Sequence, residues 1–416
     1  ECGHVTSLIE HRKGAIWHSS HMIRRIAPLR DFLRRESSSG VLLLIAAILG
    51  LLAANTPIAD SYFKFLEIEF KVDWGGIFLE MTILKVINYG LMTIFFFVVG
   101  LEIKREVTSG HLSKLRQAAA PFFAAIGGMA IPAVIYLAIA GDVAPEGWAI
   151  PVATDIALAV GLLALMGSTV TQGLKAFLLA LAVIDDIGAI LIIALVYSSG
   201  VIFSWLLAGV LAVIVTLALQ RLKVMKIYVY IFVGALLWYS LYKAGLHPTL
   251  AGVIMGILAP AAPIEDKNWS DSEDGQVTIV EKLEARFHGL STFFVVPIFA
   301  FANAGVELSS RALNDAINSP IAWGIVAGLV LGKPIGVFAT AKLAAKVKLA
   351  ELPEGGRGVK LFATGSTAGI GFTVAIFIAK LAFEAGPNQD LAVTAVIFGS
   401  LFSGLIAVAL FRLVKR

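Results

Sequence analysis

The chain has 416 residues, of which 58% are hydrophobic and only 15% charged, with a mean hydropathy of +0.87. A soluble protein carries about a quarter charged residues, so the composition excludes a soluble domain and gives a polytopic membrane protein with length for roughly twelve spans of ~20 residues. The net charge of +4 does not point to nucleic acid, because basic residues in such a chain belong in cytoplasmic loops.

Residues 1–21 are polar and lack the apolar stretch of a signal peptide. Met22-Ile-Arg-Arg-Ile-Ala-Pro-Leu-Arg-Asp-Phe-Leu-Arg-Arg-Glu36 reads as a basic amphipathic segment on the inner membrane face. The expectation is a basic N-terminal segment over 1–36, with a natural start at Met22, and a single transmembrane domain over 37–412. The first apolar run, 40–55, follows these basic residues, which places the N-terminus in the cytoplasm. The stretch from Phe65 to Val72 largely alternates apolar and polar residues and leads to Gly75 and Gly76. That is strand periodicity with a turn, predicting an extramembrane hairpin at about 64–80. A lone two-stranded hairpin is marginal in water, so pairing with a second copy of the chain is expected; an interfacial loop is the alternative.

Further apolar runs occupy 83–101, 118–140, 148–166, 173–197, 202–219, 227–242, 247–260, 289–306, 320–341, 359–382 and 390–411. The predicted fold class is therefore an all-α polytopic membrane protein of about twelve transmembrane helices. An even number of spans puts both termini on the cytoplasmic side of the inner membrane. Only Lys64, Lys71, Lys85, Lys243, Arg311 and Lys380 then fall outside, and Lys333 falls within a span, the asymmetry that positive-inside topology requires. A charged cytoplasmic loop at 261–287 divides the chain.

Asp185 and Asp186 lie in the middle of the fifth run. A carboxylate near the bilayer midplane costs ~2.5–3.5 kcal/mol on insertion scales, and an intramembrane ionisable group is read as functional by default. A cation or proton site on a transport path explains the pair; a structural ion pair with a Lys from another helix is the alternative. In the fourth run Pro151 removes a backbone donor just before Thr154 and Asp155, predicting a helix that unwinds inside the membrane, where protein or a wet cavity must surround it. A helix that starts late, capped by Thr154, is the other reading. In the eleventh run Gly365-Ser-Thr-Ala-Gly-Ile-Gly-Phe-Thr373 is a poor continuous helix, giving a second break around Gly369 and Gly371, or else a small-residue packing face. Lys333, followed by Pro334, needs a partner from elsewhere, either a central carboxylate or a purely structural one.

The two interrupted runs sit in the middle of spans 3–5 and 10–12, entering from opposite sides. This predicts two inverted three-helix repeats with a midplane site. Crossed breaks bring half-helix ends of both polarities together; Asp155 is suited to the N-terminal ends and Lys333 to the C-terminal ends. That leaves Asp185 and Asp186 for a cation.

These stretches closely resemble the NhaA-type bacterial sodium/proton antiporters. The matching segments are Phe97-Val-Val-Gly-Leu-Glu-Ile-Lys-Arg-Glu106, Glu146-Gly-Trp-Ala-Ile-Pro-Val-Ala-Thr-Asp155, Ala182-Val-Ile-Asp-Asp-Ile-Gly188, His247-Pro-Thr-Leu-Ala-Gly252, Phe299-Ala-Phe-Ala-Asn-Ala-Gly305, Gly332-Lys-Pro334 and Gly369-Ile-Gly-Phe-Thr373. The resemblance implies that Asp186 and Asp185 exchange sodium and protons, with Thr154 lining the site. It implies that Asp155 and Lys333 balance the half-helices, with Lys333 paired to Asp185. Glu102, Arg105, Glu106, Glu284 and His288 match a cluster linked to pH activation, His247 a histidine tied to pH response, and the hairpin a homodimer contact. Tyr89 stands where relatives commonly have an acidic residue.

Sodium is a hard cation that takes oxygen ligands, and two close carboxylates bind protons more readily than one. Sodium and protons then compete for the same oxygens, and a site facing each side in turn is an antiporter. Displacement of two protons per sodium would make exchange electrogenic; the expectation is that activity falls at acid pH and that lithium is a second substrate. No cofactor is implied: Cys2 is the only cysteine and the 7 His are scattered. A sodium-coupled symporter of an organic solute is the first rival, but the apolar spans hold no second polar cluster. An intramembrane aspartyl protease, the enzymatic rival, needs a Gly-x-Gly-Asp segment that is absent here.

Overall fold

The computed structural model describes residues 36–74, 77–110, 112, 115–198, 200–224, 226–261, 263–264 and 277–415. The basic N-terminal segment with Met22, the hairpin turn and the middle of the charged loop lie outside the described residues. Among the described residues nine helices are long and apolar enough to cross a membrane, or up to eleven if each of two bent helix pairs is one span.

Helix α1 (Glu36–Ala54) bends by 112° into the short α2 (Ala59–Leu66). Tyr62 and Leu66, four residues apart, bury one face of α2. Strands β1 (Glu69–Trp74) and β2 (Ile77–Thr82) pair antiparallel, with Lys71 opposite Glu80. The hairpin thus starts later than the alternation suggests, because the helical spacing of Tyr62 and Leu66 claims the residues before 67.

Helix α3 covers Ile83–Thr108 and α4 Leu115–Ala140. A 3-10 segment, Pro145–Val152, precedes α5 (Ile156–Leu165). Then come α6 (Gln172–Leu195), α7 (Phe203–Arg221), α8 (Ile227–Ala244) and α9 (Leu250–Ile257). The run at 247–260 therefore contains a helix of only 8 residues, ~12 Å long at 1.5 Å per residue. His247, Pro248 and Thr249 form a turn before it, since Pro248 cannot supply a helix donor. A Cβ at Gly252 or Gly256 of α9, or at Gly100 of α3, would strike the facing backbone, so the two helices pack with their main chains in contact.

The residues 263–264 and 277–278 form a small antiparallel ladder at the ends of the charged loop. Thr278 and Glu281 form a capping box, which starts α10 (Ile279–Asn303) inside the stretch read as loop. The remaining helices are α11 (Ser310–Asn318), α12 (Pro320–Lys346), α13 (Val359–Ala368), α14 (Phe372–Ala382) and α15 (Pro387–Lys415).

Two features of this framework position the polar residues. First, α4 and α12 pack backbone to backbone: a Cβ on Gly127 or Gly336 would collide with the carbonyl of the other, and Gly128 lies against the Lys333 stem. Second, α10 and α12 each carry a π-helical bulge, at Ser291–Val295 and Gly328–Gly332. In each, the next N–H reaches back five residues, from Val296 to the Ser291 carbonyl and from Lys333 to the Gly328 carbonyl. Pro297 and Pro334 follow at once and have no N–H to offer, so the ladder slips one residue at both places.

Candidate functional site

The two interrupted helices meet at their breaks. The α13–α14 pair bends by 47°, and the Asp155 N–H donates to the Ile370 carbonyl at 2.6 Å. Ala153 and Asp155 carry extended backbone between the 3-10 segment and α5, with Thr154 between them outside any helix. Pro151 and the following Thr-Asp therefore mark an unwound stretch buried in protein, as a membrane interior requires.

Asp155 caps two half-helices. Its Oδ1 accepts from the Leu158 N–H at 3.1 Å, closing the start of α5. Its Oδ2 accepts from the Thr373 N–H at 3.0 Å and the Thr373 hydroxyl at 2.5 Å, closing the start of α14. One carboxylate thus faces the positive ends of both helices. At the opposite polarity the Lys333 ammonium, fully buried, donates to the Val152 carbonyl at the end of the 3-10 segment.

Lys333 also donates to Asp185 Oδ2 at 2.6 Å. The Thr154 hydroxyl lies 2.8 Å from the same oxygen and 2.9 Å from the Ala368 carbonyl, at the negative end of α13. A hydroxyl has one hydrogen, so Thr154 serves one of these acceptors at a time. Asp185 Oδ1 is buried and has no hydrogen-bond partner among the described residues. The neighbouring Asp186 differs: it lines a cavity of about 780 Å3 together with Thr154, Asp155, Phe95, Val183 and Thr373. Adjacent helical residues point ~100° apart, which is how one aspartate faces a cation on Lys333 and the other faces the cavity.

The cavity also reaches Glu102, Arg105, Glu106, Glu284 and His288. Arg105 donates to Glu284 at 2.6 Å and lies 3.4 Å from Glu106, while His288 Nδ1 is 3.6 Å from Glu102. Helices α3 and α10 together bring this cluster to the cavity that Asp186 lines. Glu284 Oε2 is buried and unpartnered among the described residues. His247 is not one of the cavity's lining residues. It is buried, with Nδ1 2.6 Å from the Thr249 hydroxyl and its ring edge-on to Tyr89 at 4.9 Å and Phe377 at 5.0 Å.

Gly369 and Gly371 form the break of the second interrupted helix, and their small size matters: a Cβ at Gly369 would strike the Ser403 hydroxyl and the Leu329 carbonyl. Thr373, Ser400 and Ser403 are the polar partners that sequence reasoning left without a role. The available signal was a pair of hydroxyls three residues apart in an otherwise apolar run.

A family model described as Na+/H+ antiporter 1 matches residues 30–411. Among similar proteins named Na(+)/H(+) antiporter NhaA, those of Shewanella sp. (strain ANA-3), Shewanella oneidensis and Shewanella loihica are 47%, 46% and 44% identical over 382 residues. Each alignment covers 91% of this chain and 95% of the relative.

Proposed function

Because the chain belongs to the Na+/H+ antiporter 1 family, it is a secondary active sodium/proton antiporter with pH-dependent activity, and we propose that sodium and protons compete for one site at Asp185 and Asp186. The observation that carries this reading is the division of labour between the two aspartates. Asp186 lines the cavity beside Thr154, while Asp185 is tied to Lys333 and Thr154.

A hard cation recruits oxygen. The Asp186 carboxylate is its principal ligand, the Thr154 hydroxyl and a backbone or water oxygen complete the set, and Asp185 Oδ1 is a further lone-pair donor. Lithium fits the same oxygens and is a second substrate. When sodium leaves, protons take its place on the carboxylates, and a change in the side to which the site opens carries them across. Asp185 exchanges its contact with Lys333 for a proton. Two protons per sodium make the cycle electrogenic. Asp155 and Lys333 hold the half-helix ends, so the site's own charges remain for exchange.

The architecture read from these roles has twelve crossings, with α9 the core of the eighth. The helices α4–α6 and α12–α15 form two inverted repeats around the crossed breaks. The protein is a multi-pass inner-membrane protein with both termini cytoplasmic, and the cavity opens to the cytoplasm. Glu102, Arg105, Glu106, Glu284 and His288 at that cavity set the pH at which it activates, with His247 contributing to the response from its aromatic surroundings. The β1–β2 hairpin joins two copies as a homodimer.

The test is Asp186→Asn in proteoliposomes. Sodium-driven proton movement is abolished while the purified protein keeps its unfolding midpoint; near-normal exchange in this variant refutes the assignment. Running the assay without any organic solute separates antiport from a sodium-coupled symport.

A further inference from the structure

We propose that Ser403 and Ser400 of α15 are positioning residues that set the affinity of the cation site. They do so by holding the two places where backbone hydrogen bonding fails beside it. The proposal rests on the reading of Asp185 and Asp186 as that site.

In the α12 bulge the Lys333 N–H goes to the Gly328 carbonyl. The Leu329 carbonyl has therefore lost its α-helical donor, and its π-helical donor is Pro334, which has no N–H. The Ser403 hydroxyl lies 3.3 Å from this carbonyl. It also lies 2.9 Å from the Ser366 carbonyl, in the last turn of α13. That turn is otherwise closed by Gly369 N–H on Gly365 and Ser366, Ile370 N–H on Thr367, and Thr154 on Ala368. With one hydrogen, the Ser403 hydroxyl serves one of these two carbonyls at a time, so it stands between the bulge that presents Lys333 and the break that presents the Ala368 carbonyl to Thr154.

Ser400, one helical turn away on the same face, treats the other side of the break. Its hydroxyl accepts from the Phe372 N–H at 3.1 Å, next to the Thr373 N–H that Asp155 accepts. The start of α14 is held by a carboxylate from one side and a neutral hydroxyl from the other. Both serines are buried, Ser403 completely, so water cannot replace them. Neither lines the cavity; they act through Lys333, Asp155 and Thr154.

The experiment compares wild type, Ser400→Ala, Ser403→Ala and the conservative Ser400→Thr and Ser403→Cys in proteoliposomes. It reads the sodium concentration at half-maximal exchange and the maximal rate separately. Sodium-dependent shift of the unfolding midpoint in detergent serves as an independent measure of affinity. Each Ala variant is expected to raise half-saturating sodium about threefold to tenfold, the span of one lost net hydrogen bond, with maximal rate within about twofold. Ser400→Thr restores the wild-type value, and Ser403→Cys, which keeps volume with a weak donor, falls between. Wild-type half-saturation in the Ala variants overturns the proposal, whether or not their stability falls, and so does an equal loss in Ser400→Thr. If the Ala proteins do not fold, Ser403→Cys carries the test: an intermediate rise in half-saturating sodium supports the role, and a wild-type value overturns it. An Asp186→Asn protein that exchanges like wild type strikes the site assignment itself. Unchanged sodium dependence in the serine variants with Asp186→Asn silent strikes only the positioning role.

Discussion

Asp155 offers the sharpest quantitative test of the framework around the site. It accepts hydrogen bonds from the Leu158 N–H, the Thr373 N–H and the Thr373 hydroxyl at 3.1, 3.0 and 2.5 Å. Asp155→Ala leaves the buried Thr373 N–H and the part-buried Leu158 N–H without an acceptor, at ~1–3 kcal/mol each. It also removes the negative charge from two half-helix N-termini, at ~0.3–1 kcal/mol each. The expected destabilisation is about 4 kcal/mol. Asp155→Asn keeps one acceptor oxygen and loses the charge, so it costs about half as much. Unfolding of the purified protein in mixed micelles with increasing SDS reads both values, in the order wild type, Asn, Ala. If Asp155→Ala unfolds like wild type, or the Asn and Ala proteins are equally weakened, the double-cap argument is wrong.

Three other outcomes are expected. Sodium binding measured by calorimetry across a pH series weakens as pH falls, by about 100-fold per pH unit where two protons are displaced and about tenfold where one is; a limiting slope of one removes the two-proton cycle. Lys333→Ala exposes Asp185 to a fully buried site without a cation, a loss of about 3–5 kcal/mol. The double variant Lys333→Ala/Asp185→Asn recovers most of that in the same SDS titration, and no recovery means that the pair is not coupled. If the hairpin joins two copies, chemical cross-linking in native membranes gives a dimer band that deleting 69–82 abolishes while exchange stays intact; an unchanged dimer band excludes the hairpin as the contact.

Much of the site was legible because charge inside an apolar run has few explanations. Asp185, Asp186, Asp155 and Lys333 each stood out as single residues, and Thr154 and the glycines around 369–371 marked backbone that helices avoid. Of the four charged residues only Lys333 and Asp185 pair with each other, a partnership that the residues alone left open and the resemblance implied. The short α9 was less legible, because hydropathy over 247–260 does not record that Pro248 and Pro260 bound a stretch with only 8 helical residues. Helix α2 was hidden because its buried pair, Tyr62 and Leu66, overlaps an alternating stretch. The bulges ahead of Pro297 and Pro334 carry a sequence signal, the proline itself, but a proline alone does not say whether a helix kinks, ends or slips a residue. The paired hydroxyls of Ser400 and Ser403 were a weak signal because hydroxyls in a transmembrane run usually bond their own helix, as Thr364 does with Lys360; only the fold reveals the Phe372 N–H beside Ser400 and the carbonyls on two other helices beside Ser403.

The seam between α4 and α12 bears on how such a protein moves. At Gly127 and Gly336 the two main chains touch, so neither helix can slide or rotate by a fraction of a turn without one carbonyl striking the other chain. Lys333 rides on this seam, with its stem against Gly128. The two helices are therefore expected to travel as one slab, with the ammonium keeping its place beside α4. Any shear has to be taken up where side chains meet across a gap, as Phe95 of α3 and Val183 of α6 do along the cavity wall.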